Sequence, residues 1–157
     1  MRTLVSYFSR TGQTSRFARE IAKRCGADLD PICSVEQVDS RWGQVRCAWQ
    51  DLTGAAPPIE KPTRNPANYD LVIIGAPVFR FGVAPPVRSY VRKFADRFKQ
   101  VAFFCAEGGA GDARVFAESS ALCGKRPVAT FAVTRKHLPA VAHIKELTDF
   151  VDSVRSL

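Results

Sequence analysis

The sequence contains little that would point to a membrane, an export pathway or a metal ion. No apolar run approaches the length that crosses a bilayer, and the N-terminus enters an apolar strand pattern without the basic and hydrophobic regions of a leader peptide. We therefore expect a cytoplasmic protein with no membrane contact. The two histidines, His137 and His143, have no cysteine at ligand spacing beside them, so the sequence gives little support for a metal site.

The cysteines do not indicate a disulfide framework. There are five, an odd number, and no two of them form a Cys-x-x-Cys pair. They lie mostly in apolar or helical patterns, at Cys25, Cys33, Cys47, Cys105 and Cys123. We expect reduced thiols that are mostly structural.

Acidic residues are scarce. Only 15 Asp and Glu stand against 23 Lys and Arg, which gives a net charge of +8 and an isoelectric point near 9.6. The basic residues are dispersed over all predicted helices without a nucleic-acid motif, so we expect no specific nucleic-acid partner. A length of 157 residues with 46% hydrophobic composition predicts one domain, residues 1–157, with a core of its own.

Two common phosphate-binding motifs are also missing, yet the first loop has the character of a phosphate site. GxGxxG occurs nowhere, and no lysine follows Gly12 as GxxxxGK[ST] requires. Instead, a strand pattern ending at Phe8 gives way to hydroxyl, glycine and amide residues and then directly to a helical pattern. A helix N-terminus attracts anions. We expect Ser9, Thr11 and Thr14 to hydrogen-bond phosphate oxygens, with Gly12 allowing close approach.

Strand and helix patterns alternate along the rest of the chain. The predicted strands run to Phe8, over Ala27–Ile32 at an edge that tolerates Pro31, over a central Leu71–Ile74, over Val101–Cys105 and over Pro127–Val133. The predicted helices run from Thr14 to Cys25, from Ser34 through Trp42 and Trp49 to Leu52, from Pro85 with an inner face reaching Phe98, from the loop at Asp112 to Leu122, and from Val141 to Val154. The proline-rich stretch Thr53–Asn68 is predicted to be a connector.

This alternation predicts an α/β fold. Right-handed crossovers place helices on both faces of a parallel sheet, which gives a three-layer sandwich with five strands in the order 2-1-3-4-5. Ligands of such sheets bind at the carboxyl ends of the strands, beside the reversal in strand order. The loops after strands 1, 3 and 4 should therefore border one pocket.

The other two loops suit a flat heterocycle. Ala76–Gly82 carries Phe79, Arg80 and Phe81 behind the central strand, and either phenylalanine can stack on a ring. The glycine-rich loop from Glu107 to Asp112 exposes backbone groups that can pair with the polar edge of a ring.

The first loop resembles the flavodoxin signature, in which an aromatic residue and Ser precede x-Thr-Gly-x-Thr, an alanine and an aliphatic residue. The matching positions are Phe8, Ser9, Thr11, Gly12, Thr14, Ala18 and Ile21. With YDLVIIGAPVF, Pro85-Pro86-Val87-Arg88 and FFCAEGGAG, the chain resembles a short-chain, flavodoxin-like family of FMN-binding proteins over nearly its whole length.

The resemblance implies non-covalently bound FMN, with its phosphate at the first loop and its ring between the other two. The implied cofactor-binding residues are Ser9, Arg10, Thr11, Gly12, Gln13, Thr14, Pro77, Val78, Phe79, Arg80, Phe81, Gly82, Cys105, Glu107, Gly108, Gly109 and Asp112. No catalytic residues stand out. We expect an electron-transfer flavoprotein, or alternatively an FMN-dependent oxidoreductase that reduces quinones or other small acceptors with NAD(P)H. Its partner would be a redox protein or a small-molecule acceptor, and it would act as a monomer or homodimer.

Two classes of protein with related folds are excluded because the sequence lacks the residues that their motifs require. A receiver domain needs acidic residues after strands 1 and 3, where this chain has Phe8-Ser9 and Ala76-Pro77. A low-molecular-weight phosphatase needs an arginine six residues after its cysteine, where Cys105 is followed by Gly111.

The basic composition departs from that of electron-carrying flavodoxins, which are usually strongly acidic. Acidic surroundings oppose a reduced flavin anion, whereas Arg10 and Arg80 would stabilise it. We therefore expect a weaker reductant than an acidic flavodoxin, although Glu107 near the ring would act in the opposite direction.

Overall fold

The computed structural model describes residues 1–35, 57–79, 82–106, 111–133 and 140–157, with the side chains of residues 140–143 excepted. Several predictions lie outside the described residues. They are residues 36–52 of the helix predicted from Ser34, the start of the connector at Thr53, the loop residues Arg80, Phe81, Glu107, Gly108 and Gly109, and the two histidine side chains. Ser34 itself forms an isolated antiparallel bridge with Ile59.

The described chain alternates strands with helices as predicted. The strands are β1 (Thr3–Tyr7), β2 (Asp28–Pro31), β3 (Leu71–Phe79), β4 (Gly82–Val83), β5 (Gln100–Ala106) and β6 (Thr130–Val133). The helices are α1 (Gln13–Cys25), α2 (Pro85–Phe94), α3 (Asp112–Cys123) and α4 (Ala140–Arg155), with short 3-10 turns at Pro66–Asn68 and Ala95–Arg97.

The sheet confirms the predicted flavodoxin-like order. The strands lie in the order β2-β1-β3-β5-β6, all parallel, and β4 pairs with β3 alone. This is the expected 2-1-3-4-5 order with one extra short strand. Because β1 and β3 pair Tyr7 with Gly75, and β3 and β5 pair Pro77 with Ala106, the three strands end at the same edge.

Alternate residues of the central strands feed two separate cores. Leu4, Val72, Ile74, Val101 and Phe103 pack with α2 and α3 on one face. Val5, Leu71, Ile73, Ala102 and Phe104 pack with α1 and α4 on the other. Strands that are apolar on both faces have the continuous hydrophobic pattern that predicted a buried parallel sheet.

Three predicted boundaries are wrong. Residues 76–79, predicted to begin a loop, continue β3 to Phe79, and β4 returns beside it, so that Phe79 pairs with Gly82 and Val78 with Val83. Helix α2 ends at Phe94, and the buried Phe98 follows a 3-10 turn. The last strand begins at Thr130 rather than Pro127, although Val128 already donates its backbone N–H to the Val101 carbonyl of β5 at 2.8 Å.

A buried carboxylate attaches the connector to the edge of the sheet. Asp30 of β2 is 1% exposed and accepts hydrogen bonds from the Thr63 backbone N–H at 3.2 Å, the Thr63 hydroxyl at 2.7 Å and the Arg64 backbone N–H at 3.1 Å. Buried carboxylates are costly unless they are hydrogen-bonded in this way. These contacts hold the connector beside β2, the strand next to the first loop.

Candidate functional site

The first loop joins β1 to α1 and is shaped by one serine hydroxyl. The Oγ atom of Ser9 accepts the backbone N–H of Gly12 at 3.1 Å and that of Ser15 at 3.2 Å. A hydroxyl that accepts two N–H groups keeps its own proton for donation. Ser9 therefore holds the loop against the first turn of α1 and remains able to donate to an anion.

Gly12 gives the loop its open side. It has φ +91°, in the left-handed region, and a Cβ atom built on it would meet nothing within 4 Å. The first N–H groups of a helix have no partner inside it, and α1 has no acidic residue in its first turn to compete for them. Ser9 accepts the N–H groups of Gly12 and Ser15. Those of Gln13 and Thr14 have no acceptor inside the helix, so the open side of Gly12 is a cradle at the end of α1 that attracts a phosphate group.

The remaining residues of this loop differ in exposure. Arg10, Thr11 and Gln13 are exposed, whereas Thr14 is only 1% exposed and lies in the first turn of α1. The three exposed side chains can contact a ligand from the solvent side of the loop. The buried Thr14 side chain can contact a ligand only from inside the loop.

The second segment is the hairpin formed by β3 and β4. Pro77 is buried, while Val78 and Phe79 are half-buried and pack against the core cluster that α2 and α3 cover. The Phe79 ring keeps an accessible part at the edge of the sheet where β1 ends. It lies beside the first loop, since the Cζ atom of Arg10 is 5.7 Å from its ring centre.

Within the third segment, Cys105 and Asp112 lie in the described residues. Cys105 is 1% exposed and contributes its side chain to the core rather than to a pocket. Burial, with a smaller contribution from the Asp112 carboxylate, raises the pKa of the Cys105 thiol to about 12. Only the backbone of Cys105 can serve a ligand, and its thiol stays protonated at neutral pH.

The other described cysteines are no more reactive. Burial is the main factor that raises the pKa of Cys25, Cys33 and Cys123, and Glu60 and Asp30 raise that of Cys33 further. All of these thiols are free. Thiolates are the reactive form of cysteine, so this part of the chain does not favour thiol redox chemistry.

A charged cluster behind the hairpin was not predicted from the sequence. Glu118 of α3 accepts the Val83 backbone N–H and contacts Arg88 of α2, which also donates to the Val83 carbonyl. The only sequence signal is an arginine next to the apolar face of α2. Nothing in the sequence identifies its partner, 30 residues away.

No group of three or more His, Cys, Asp or Glu side chains within the described residues could hold a metal ion. None of the helices that these residues form combines the length and the apolar character needed to span a bilayer.

Solved structures of other proteins share this fold. A flavoprotein from Lactobacillus acidophilus NCFM, in complex with FMN, is 21% identical with a TM-score of 0.72, over 83% of this chain and 92% of that one. A flavodoxin from the domain Archaea is 16% identical with a TM-score of 0.59, over 99% and 97%. A flavodoxin, WrbA-like protein from Agrobacterium tumefaciens is 13% identical with a TM-score of 0.60, over 99% and 98%.

The family model gives stronger evidence of membership than these similarities in fold do. No protein of curated function matches the sequence. The flavodoxin family model, however, matches residues 2–152, which include every strand of the sheet and the three segments at its carboxyl edge. The chain belongs to the flavodoxin family.

Proposed function

We propose that this protein is an electron carrier whose cofactor is non-covalently bound FMN. The observation that carries the proposal is the cradle at Gly12, where Ser9 accepts two backbone N–H groups and so holds the loop against the first turn of α1, and a left-handed glycine leaves space for an anion. Family membership and the FMN complex of the Lactobacillus flavoprotein support the same cofactor.

The proposed arrangement places the phosphate at residues 9–14 and the ring beside the hairpin. Bound FMN supplies one- and two-electron transfer, and the protein binds and orients it. Ser9 and Gly12 shape the phosphate cradle, while Thr11 and Thr14 donate to phosphate oxygens. Phe79 offers its ring for stacking, and the backbone between Cys105 and Asp112 pairs with the polar edge of the flavin.

Surface charge supports a partner of acidic character. Arg16, Arg19 and Lys23 are exposed at spacings of three and four residues along α1, so they share one face of the helix that begins at the cradle. Opposite charges on two proteins accelerate their encounter and lose effect as salt rises. We therefore expect electron transfer to an acidic redox protein that slows as ionic strength increases.

The decisive experiment is the visible spectrum of freshly purified protein, followed by titration of the apoprotein with FMN. A yellow protein that releases FMN, or an apoprotein that quenches FMN fluorescence stoichiometrically, supports the proposal. A colourless protein that takes up no FMN overturns it.

A second assay separates the carrier from the alternative enzyme. The flavin-loaded protein is mixed with NAD(P)H and a quinone, first alone and then with a separate flavodoxin reductase. A carrier is reduced only through the added reductase. Steady consumption of NAD(P)H by the protein alone would instead identify a quinone or small-acceptor reductase.

A further inference from the structure

One carboxylate on α3 is connected to the base of the β3–β4 hairpin from two sides. Oε2 of Glu118 accepts the Val83 backbone N–H at 3.0 Å, and Oε1 accepts Nε–H of Arg88 at 3.1 Å, with the Arg88 Nη2 atom 3.0 Å away. The same Nη2 donates to the Val83 carbonyl at 3.2 Å. Both backbone polar groups of Val83 are therefore held by one ion pair.

The ion pair is largely removed from water. The Arg88 side chain is 7% exposed and that of Glu118 is 28% exposed. Glu118 is the carboxylate that pairs with this guanidinium in the described part of the chain, and Arg88 Nη1 is buried with no hydrogen-bond partner. Removal of one partner would leave the other charge buried and unpaired, which is strongly destabilising, so the two side chains hold each other in position.

Gly82 brings the hairpin close enough for these contacts. A Cβ atom at Gly82 would lie 2.9 Å from Oε2 of Glu118, so a side chain there would displace this carboxylate. Val83 is fully buried in the core cluster that α2 and α3 cover, and β4 pairs with β3. The bonds from Glu118 and Arg88 add to this packing in fixing the position of β4.

We propose that Glu118 and Arg88 are positioning residues for the flavin ring, an inference that rests on the proposed FMN site. They fix β4, and through its pairing with β3 they fix Phe79, the proposed stacking residue. Glu118 also belongs to α3, which begins directly after the third proposed flavin segment. Glu118 thus connects the hairpin to the helix that follows the third segment, while the phosphate cradle lies on a different loop.

The test compares Glu118→Gln with Glu20→Gln, which removes the same charge from an ion pair with Arg24 on α1. Apoprotein of each variant is titrated with FMN and with riboflavin, which has the ring but no phosphate. Glu118→Gln should weaken both ligands by the same factor, about tenfold, the equivalent of roughly one hydrogen bond. Glu20→Gln should bind both as the wild type does.

A double-mutant cycle tests the route through Phe79. If Glu118 acts by positioning that ring, the combination of Glu118→Gln with Phe79→Ala should weaken riboflavin less than the sum of the single effects. Additive effects would mean that Glu118 supports only general stability, which overturns the positioning role. Equal affinities for wild type and Glu118→Gln would overturn it as well.

Arg88→Lys provides a second variant if Glu118→Gln does not fold. It keeps the positive charge, but one ammonium group cannot reproduce the bonds of the guanidinium to both Glu118 and the Val83 carbonyl, so it should also weaken FMN and riboflavin equally. Normal binding by Arg88→Lys would contradict the proposal. Failure of the wild type to bind either flavin would instead refute the proposed FMN function, so the two failures are distinguishable.

Discussion

The guanidinium carbon of Arg10 lies 5.7 Å from the centre of the Phe79 ring, so the first loop and the hairpin touch at the carboxyl edge of the sheet. A cation over an aromatic face contributes about 0.5–1 kcal/mol at an exposed site. The contact brings the proposed phosphate-binding and ring-stacking segments within reach of one cofactor. It also places a positive charge beside the proposed position of the ring.

Replacement of Arg10 should therefore lower the redox potential of bound FMN. Arg10→Gln removes a cation that favours the reduced flavin anion, and we expect a midpoint potential lower by roughly 20 mV, or about 1 kcal/mol for two electrons. The measurement is a spectroscopic redox titration. Arg97→Gln is the matched control, because Arg97 lies 5.4 Å from the Phe94 ring after α2. An unchanged or higher potential in Arg10→Gln would contradict the prediction.

Removal of the Thr11 hydroxyl should weaken FMN selectively. If this hydroxyl holds a buried phosphate oxygen, Thr11→Val should cost about 1–3 kcal/mol of FMN affinity. Riboflavin, which lacks the phosphate, serves as the control ligand and should bind equally well to both proteins. An equal loss of affinity for FMN and riboflavin would mean that Thr11 contacts the ring or supports the fold of the loop instead.

Gly75 should not tolerate a side chain. A Cβ atom at this position of β3 would overlap the Phe104 ring, which packs across the strand from β5. Gly75→Ala should lower the free energy of unfolding in urea by about 1–3 kcal/mol through overpacking. The smaller side chain in Phe104→Leu should make room for the new methyl group. Purely additive destabilisation in the double variant would show that the overlap is not the cause.

Ser6 and Tyr90 form a buried pair whose separation should be costly. Their hydroxyl oxygens are 2.9 Å apart, and Ser6 is completely buried. Tyr90→Phe leaves the Ser6 hydroxyl without this partner and should destabilise the protein by about 1–3 kcal/mol in urea unfolding. Addition of Ser6→Ala should recover part of that loss. A double variant no more stable than Tyr90→Phe would argue against an unsatisfied hydroxyl.

Tyr90 should also make stability fall at alkaline pH. Burial raises the pKa of Tyr90 to about 12 in the folded protein, against an ordinary value of 10.0. The folded state therefore keeps a proton that the unfolded state loses, so the contribution is complete below pH 10 and disappears as the pH rises towards 12. The unfolding free energy of the wild type should fall more steeply across this range than that of Tyr90→Phe. Parallel curves would contradict the raised pKa.

The element order could be predicted because its signals are local. Gly26 ends α1 with φ +62°, directly after the helix predicted to run to Cys25, and Pro85 begins α2 as predicted. The apolar run Leu71–Ile74 is also a local signal, and it predicted the central strand. The hairpin after it was missed, because a short antiparallel extension is decided by what packs behind it rather than by its own residues.

Residue patterns alone determined the alternation of strands and helices, and with it the parallel sheet, because periodicity and caps act over a few neighbouring residues. They also predict a phosphate site in the first loop. Only the tertiary structure decided that Cys105 faces the core, that β3 continues to Phe79, and that Glu118 holds Val83 from 35 positions away. Such contacts join elements distant in sequence. Their free energy depends on burial and on charge pairing that exist only once the sheet has assembled.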